Sequence, residues 1–579
     1  MSRSTQSLMR NFFRSPGLAL HASIRDGDLR KLRQLLHSSD SVDVNDQDYT
    51  WGTPLHVAVL CDSLAAVEEL LGAGADALAV SINDNHPLSP IALAACTGHP
   101  AILRRLWQHV PPERHANGPK GKPFQTCLVQ AAAYGHLSIA ADLLGWWDGW
   151  TQDVKNESLL WAARRWQVYV VELLLSRASF EPRTLDDALR SATDFKFLLP
   201  EESSPRYDCV DYLDQGLLIA QLVEAGANPN TSSLNGPLVI RAACLMNLGG
   251  ALKALLEKGA DPNVTDGNGQ SALHRLAFPV LIHQSHRAPR LNETGIRLLL
   301  QHNASSVQRD TRGDTPLHWA AFGSNLRIFR LYLSSGQTLD QRTAIGMRND
   351  HGETLLHFAA AGGKIDVMEF LLSQGIINVD EKSSNGWTPL ICALVPTREG
   401  SIPDRSKKLP EAIRAAQLLL SHGADPLVTT GEGWSPLHCL ALHYDRGESD
   451  EAAQFAGDLI LRGADVEARA PFLVEPHALS RILPHHLRAP WGSRVPEVFN
   501  GPSNWQKKVV PDMAPLHWAA RHGALGVVKA LLAHGADPSS GSPPGPTPAR
   551  VAGESELLER HPELVEEIVE LLVGAGGGF

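Results

Sequence analysis

The sequence predicts an all-α solenoid of stacked helix pairs, and three observations predict it. The phrase Thr315-Pro316-Leu317-His318-Trp319-Ala320-Ala321 returns as Ala514-Pro515-Leu516-His517-Trp518-Ala519-Ala520. Each such phrase leads, through an apolar helical stretch, to a Leu-Leu-x-x-Gly-Ala-Asp phrase, so the unit has a countable beginning and end. No break in composition divides the 579 residues into ordinary domains. Stacked units escape that limit on core size, because each buries its apolar face only against its neighbours.

The unit can be justified element by element. Thr315 is placed to cap the first helix with its hydroxyl, and Pro316 fits the first helical position, where a missing N–H costs nothing. His318 can bond to Thr315 or to backbone of the adjoining link, and Ala320 and Ala321 let neighbouring helices approach closely. The second helix is amphipathic: Leu326, Ile328, Phe329, Leu331 and Leu333 supply its apolar residues in one unit, and Ile365, Val367, Met368, Phe370, Leu371 and Leu372 in another. It should stop where a residue takes positive φ, which Gly or Asn does at least cost. Those residues form a ruler: Gly226 to Gly259 and Asn303 to Gly336 are both 33 residues, and longer spacings follow to Gly375, Gly423 and Gly463.

These features resemble the ankyrin repeat from about Leu18 to about Leu572. Gly-Asp-Thr-Pro-Leu-His at 313–318, Gly-Glu-Thr-Leu-Leu-His at 352–357, Gly-Trp-Thr-Pro-Leu at 386–390 and Gly-Trp-Ser-Pro-Leu-His at 433–438 carry the resemblance. So does Gly-Ala-Asp-Pro at 259–262, 423–426 and 535–538. Earlier units depart: Ser89-Pro90-Ile91-Ala92 lacks the His, and 157–175 keeps only helix spacing. The resemblance implies helix-turn-helix units joined by β-hairpin or turn fingers, about fourteen helix pairs in all. The expected order is a disordered leader (1–17), an N-terminal capping repeat (18–47), degenerate repeats (48–235), and regular repeats with loop insertions (236–469). A Pro- and aromatic-rich insertion (470–511), a repeat (512–545), a C-terminal capping repeat (546–574) and a Gly-rich tail (575–579) follow. In the last cap, Leu564, Val565, Ile568, Val569 and Leu572 form an inner stripe, while Glu563, Glu566, Glu567 and Glu570 face outward.

Composition narrows function. With 63 acidic against 52 basic residues the net charge is −11, unsuited to nucleic acid, which wants clustered Lys and Arg. No apolar run is long enough to span a membrane. The seven cysteines have no Cys-x-x-Cys pair and read as reduced packing residues, with Cys392 and Cys439 in the slot of Trp319 and Trp518. A cytoplasmic or nuclear setting follows. Arg3, Arg10 and Arg14 in an acid-free leader faintly resemble a mitochondrial presequence, the alternative localisation. His283 with His286, and His485 with His486, lack partners at metal-ligand spacing, so no metal or other cofactor is expected. No phosphate loop, nucleophile elbow or His-Glu-x-x-His motif suggests an enzyme.

Insertions fall at particular places. Those near 193–210, 278–291, 396–410 and 443–451 lie between the two helices of a unit and should project from one edge. Those at 111–125 and 470–511 lie between units, at the finger position.

The resemblance also implies where a partner docks: a concave groove between fingers and first helices. Trp387 and Trp434 stand between the turn Gly and the Thr or Ser that starts the helix, a variable slot facing that groove in the family. Asp314 and Glu353 occupy the same slot, and Arg312, His351, Phe322, Arg521 and His522 line variable slots nearby. Aromatics and Arg there suit binding hot spots. The competing reading is that each Trp covers its neighbouring finger. The function expected is a non-enzymatic, monomeric scaffold or adaptor for a protein partner. A second reading is the substrate-recognition subunit of a regulatory assembly such as a ubiquitin ligase, although nothing like a recruiting motif precedes Leu18. A third, an enzyme within 185–225 or 470–511, founders on segments too short for a catalytic domain.

Overall fold

The structure, a computed structural model, describes residues 19–37, 43–81, 88–110, 122–193, 212–233, 236–244, 249–277, 292–334, 340–396, 408–445, 450–471, 512–541, 546–555, 558 and 561–578. Among them are twenty-nine helices, arranged as fourteen consecutive pairs and one additional short helix. The fold is the expected all-α one, and contacts divide it into two compact units.

The first unit comprises Met1–Ala242 with Asn247–Asp261. Its first helices are α1 (Ala19–Arg25), α3 (Pro54–Leu60), α5 (Pro90–Thr97), α7 (Lys122–Tyr134), α9 (Gln152–Arg164) and α11 (Pro182–Ala192). Their partners are α2 (Leu29–Leu36), α4 (Leu64–Gly72), α6 (Pro100–His109), α8 (Leu137–Trp146), α10 (Val168–Arg177) and α12 (Tyr212–Glu224), and α13 (Leu238–Cys244) and α14 (Gly249–Glu257) follow. Each first helix from α1 to α11 packs on the next, and second helices pack in a parallel layer. Small residues permit this: Ala58, Ala94, Ala95, Ala131, Ala132, Ala162 and Ala163 are all fully buried.

The second unit comprises Ala243–Met246 with Pro262–Phe579. Its first helices are α15 (Ala272–Leu276), α17 (Pro316–Gly323), α20 (Leu355–Ala361), α22 (Pro389–Leu394), α24 (Pro436–Leu440), α26 (Pro515–His522) and α28 (Pro548–Gly553). The second layer holds α16 (Glu293–Gln301), α18 (Leu326–Ser334), α21 (Ile365–Ser373), α23 (Leu409–Ser421), α25 (Glu451–Leu461), α27 (Leu525–Ala533) and α29 (Pro562–Gly574), with α19 (Gln341–Ile345) as the extra helix. Helix α29 buries Leu564, Ile568 and Leu572 and exposes Glu563, Glu566, Glu567 and Glu570.

The local rules operate as read. Thr315, Thr388 and Thr547 accept backbone N–H bonds three residues on, at 3.3, 3.4 and 3.3 Å. The ruler residues Gly226, Gly259, Asn303, Gly375, Gly423 and Gly463 all have positive φ, and Gly336 lies outside the described residues. The leader, the His283, His286, His485 and His486 pairs and most inserted residues also lie outside them.

Two insertions can be followed at their roots. The one at 443–451 does not simply project. The ring of His443 bonds through Nε2 to the Leu394 carbonyl at 2.6 Å, and Asp445 exchanges backbone bonds of 3.1 Å with Gly523 and Leu525. Those pairings hold its first residues against the preceding and following repeats. The insertion at 470–511 is rooted in a finger, where β3 (Ala470–Pro471) pairs antiparallel with β4 (Asp512–Met513); β1 (Ser232–Ser233) and β2 (Gly236–Pro237) form the other short hairpin.

Candidate protein-interaction surface

Within the second unit the fingers follow one plan. Each opens on a short polar residue, Asp266, Asp310, Asn349, Ser383 or Thr430, whose backbone N–H donates to the carbonyl four residues on. The Asp310 carboxylate also accepts from the Arg312 and Asp314 N–H groups at 2.8 and 3.0 Å, and the Asn349 side-chain oxygen accepts from His351 and Glu353 at 3.0 and 2.9 Å. Gly269, Gly313, Gly352, Gly386 and Gly433 complete the tips with φ between 74 and 89°. Adjacent tips are stitched by backbone bonds: Thr311 to Asn268, Asp350 to Arg312, Ser384 to His351 and Gly431 to Asn385.

First-helix histidines fasten several of the links between repeats from below. In His56, His274, His357 and His438, Nδ1 accepts from the backbone N–H of the capping Thr or Ser at 3.0–3.2 Å. That assigns the proton to Nε2, which donates to the Leu88, Asp314, Trp387 and Met513 carbonyls of the following repeat at 2.9–3.2 Å. Burial holds His56, His318 and His438 at about 4, neutral at pH 7.

This architecture corrects the expected binding site. Trp387 is 0 % and Trp434 1 % exposed, so neither ring can touch a partner. The rings lie 6.0 Å apart and Trp434 meets Trp518 edge-on at 4.8 Å, forming an aromatic ladder across three repeats. The physical reason lies in the finger: with the slot's N–H and C=O both bonded back to Ser383 or Thr430, the side chain is carried inward over the first helices. Asp314 and Glu353, in the same slot, are buried as well. Their carboxylates share one donor, the Asn349 amide, at 2.9 and 2.7 Å. Phe322 is buried against Trp319 at 6.3 Å. Of the other expected residues, Arg312 and His351 are exposed at the finger tips, while Arg521 and His522 are half-buried, His522 bonding through Nδ1 to the Trp518 carbonyl at 2.9 Å.

The first unit exposes contact residues that the sequence reading passed over. One or two residues past α3, α5, α7 and α9 the chain takes positive φ, at Asp62, Gly98, Gly135 and Trp166. Trp166 is a bulky residue where neighbours have Gly, with φ 57°; its burial and its 2.8 Å indole bond to the Ala192 carbonyl hold it there. Just before these positions stand Cys96, Tyr134, Arg164 and Arg165. The Arg165 guanidinium lies 4.3 Å from the Tyr134 ring and 5.8 Å from Trp161, with Arg164 at 5.1 Å from Trp161. Tyr134 is 42 % exposed, and Trp161, Arg164 and Arg165 are half-buried. The only trace of this group in the sequence is an Ala-Ala-Arg-Arg phrase at 162–165, within a repeat that keeps little of the shared pattern.

Among the described residues no group of three or more His, Cys, Asp or Glu side chains is placed to hold a metal ion, and no helix is long and apolar enough to cross a membrane. Cys61, Cys96, Cys127, Cys392 and Cys439 are in no disulfide, and Cys392 and Cys439 are buried in the slot of Trp319 and Trp518. Comparison with known families matches residues 239–343 and 337–399 to a three-copy ankyrin-repeat profile, and residues 52–85 and 512–541 to the single ankyrin repeat. No curated protein matches the chain.

Proposed function

We propose, from the premise that this chain is an ankyrin-repeat protein, that it is a non-enzymatic scaffold or adaptor whose finger tips and first-helix ends dock a protein partner. Ankyrin repeats support a general role in protein interaction. The observation that carries the finer reading is a division of labour along the repeat. The recurring Thr, His, Ala and slot residues are buried and engaged in holding units together, whereas Arg312 and His351 are exposed at finger tips of the second unit and Tyr134 at a first-helix end of the first. Exposed side chains that differ from repeat to repeat are suited to specific recognition on a common frame. The same reading has the chain working as a monomer in the cytoplasm or nucleus, with its cysteines as thiols.

The test pairs capture with stability. Replacing Arg312→Ala and His351→Ala together should lower partner recovery in a cross-linking pull-down by about fivefold or more and leave the circular dichroism melt unchanged. Undiminished recovery with an unchanged melt would remove the finger tips from the docking surface.

A further inference from the structure

We infer that the Tyr134, Trp161, Arg164 and Arg165 group at the ends of α7 and α9 is a docking site for an acidic peptide segment of a partner protein. The inference rests on the protein-binding reading above and names the chemistry of the ligand.

Three observations carry it. The first is stacking. Arg165 lies 4.3 Å from the Tyr134 ring and 5.8 Å from the Trp161 ring, and Arg164 lies 5.1 Å from that same Trp161 ring. Stacking on aromatic faces fixes a guanidinium beforehand, so less entropy is lost when it meets a carboxylate. The second is order beneath the group. Gln167 Nε2 donates to the Arg165 carbonyl at 3.0 Å, and Trp166 is held at positive φ by its indole bond to the Ala192 carbonyl at 2.8 Å. The third is charge. In a chain of net charge −11, the three successive helix ends 94–98, 131–135 and 162–166 contain no Asp or Glu. On the neighbouring side, Asp62 is already tied to His99 at 2.9 Å.

Two guanidiniums interleaved with two rings match a short segment presenting carboxylates beside apolar side chains. They do not match a nucleic acid, because two cations neutralise too few phosphates.

The full chain is titrated, with fluorescence anisotropy as readout, into a labelled dodecapeptide repeating Glu-Glu-Leu, a matched Lys-Lys-Leu peptide, and single-stranded oligo-dT. The acidic peptide should bind best. The Arg164→Gln, Arg165→Gln double variant should bind it at least about tenfold more weakly with an unchanged melt. Arg165→Lys, which keeps the charge but not the planar stack, should lose about threefold. Should the double variant fail to fold, Tyr134→Leu tests the same site and should weaken binding about threefold. Equal affinity in the folded variants, or preference for oligo-dT or the Lys peptide, overturns the inference. If Arg312→Ala with His351→Ala still lowers partner capture in that case, the scaffold reading survives and only the acidic-peptide site is lost.

Discussion

At the scale of single residues, the decisive quantity is burial. Trp387 and Trp434 fill the space under the fingers, so their truncation removes packing rather than a contact surface. Trp387→Ala or Trp434→Ala should each destabilise the second unit by about 3–5 kcal/mol, read as a lower melting temperature. Neither indole nitrogen has a hydrogen-bond partner among the described residues, so Trp387→Phe should cost clearly less than Trp387→Ala. Equal losses for Phe and Ala would contradict a role in packing. Asn349 is the most exacting position. Its amide is the shared donor to the buried Asp314 and Glu353 carboxylates, and its oxygen organises the finger tip. Asn349→Ala should cost about 3 kcal/mol or more, because it leaves buried acceptors short of a donor; a change below 1 kcal/mol in denaturant unfolding would show that the network is dispensable.

At the scale of the element, what the sequence disclosed and what it concealed follow one physical division. Helix caps, the Gly and Asn stops and the buried stripe of α29 depend on neighbours within one unit, so period and residue type suffice to find them. The direction of a finger side chain depends on how the finger folds back onto the next helix, which no spacing records. Hence Trp387 in its slot looked free to face a groove, although its N–H and C=O are committed to Ser383. The Tyr134–Arg165 group was hidden for a related reason. Trp166 stands where a Gly would mark the register, so the repeat at 152–177 could not be aligned to its neighbours. Close approach of elements gives a further test. A Cβ on Gly362 would run into the Phe322 carbonyl oxygen at the end of α17. Gly362→Ala should therefore destabilise by about 1–3 kcal/mol, measured by thermal melting, although φ at that position is not positive. A neutral result would mean that α17 and α20 separate without cost.

At the scale of the whole molecule, the buried histidines couple stability to pH. His56, His318 and His438 titrate at about 4 when folded, because burial disfavours the imidazolium, against about 6.5 when unfolded. As pH falls below 6.5 the unfolded chain therefore takes up protons that the folded chain refuses. Their stabilising contribution is complete above about 6.5 and declines as pH falls towards 4, by about 2–3 kcal/mol for each. The melting temperature should drop steadily through that window, above the range in which paired carboxylates such as Asp266, also held low, begin to protonate. A melting temperature that is flat between pH 6.5 and 4.5 would contradict neutral, buried latches.

The claim that joins these scales is that the repeat core is spent on the frame and that recognition belongs to the exposed finger tips and first-helix ends. Cross-linking mass spectrometry on the full chain with its captured partner tests it most directly. The account predicts that partner cross-links concentrate on finger-tip residues and on residues at the ends of the first helices. Cross-links confined to the exposed faces of second helices such as α18, α21 and α27 would contradict it.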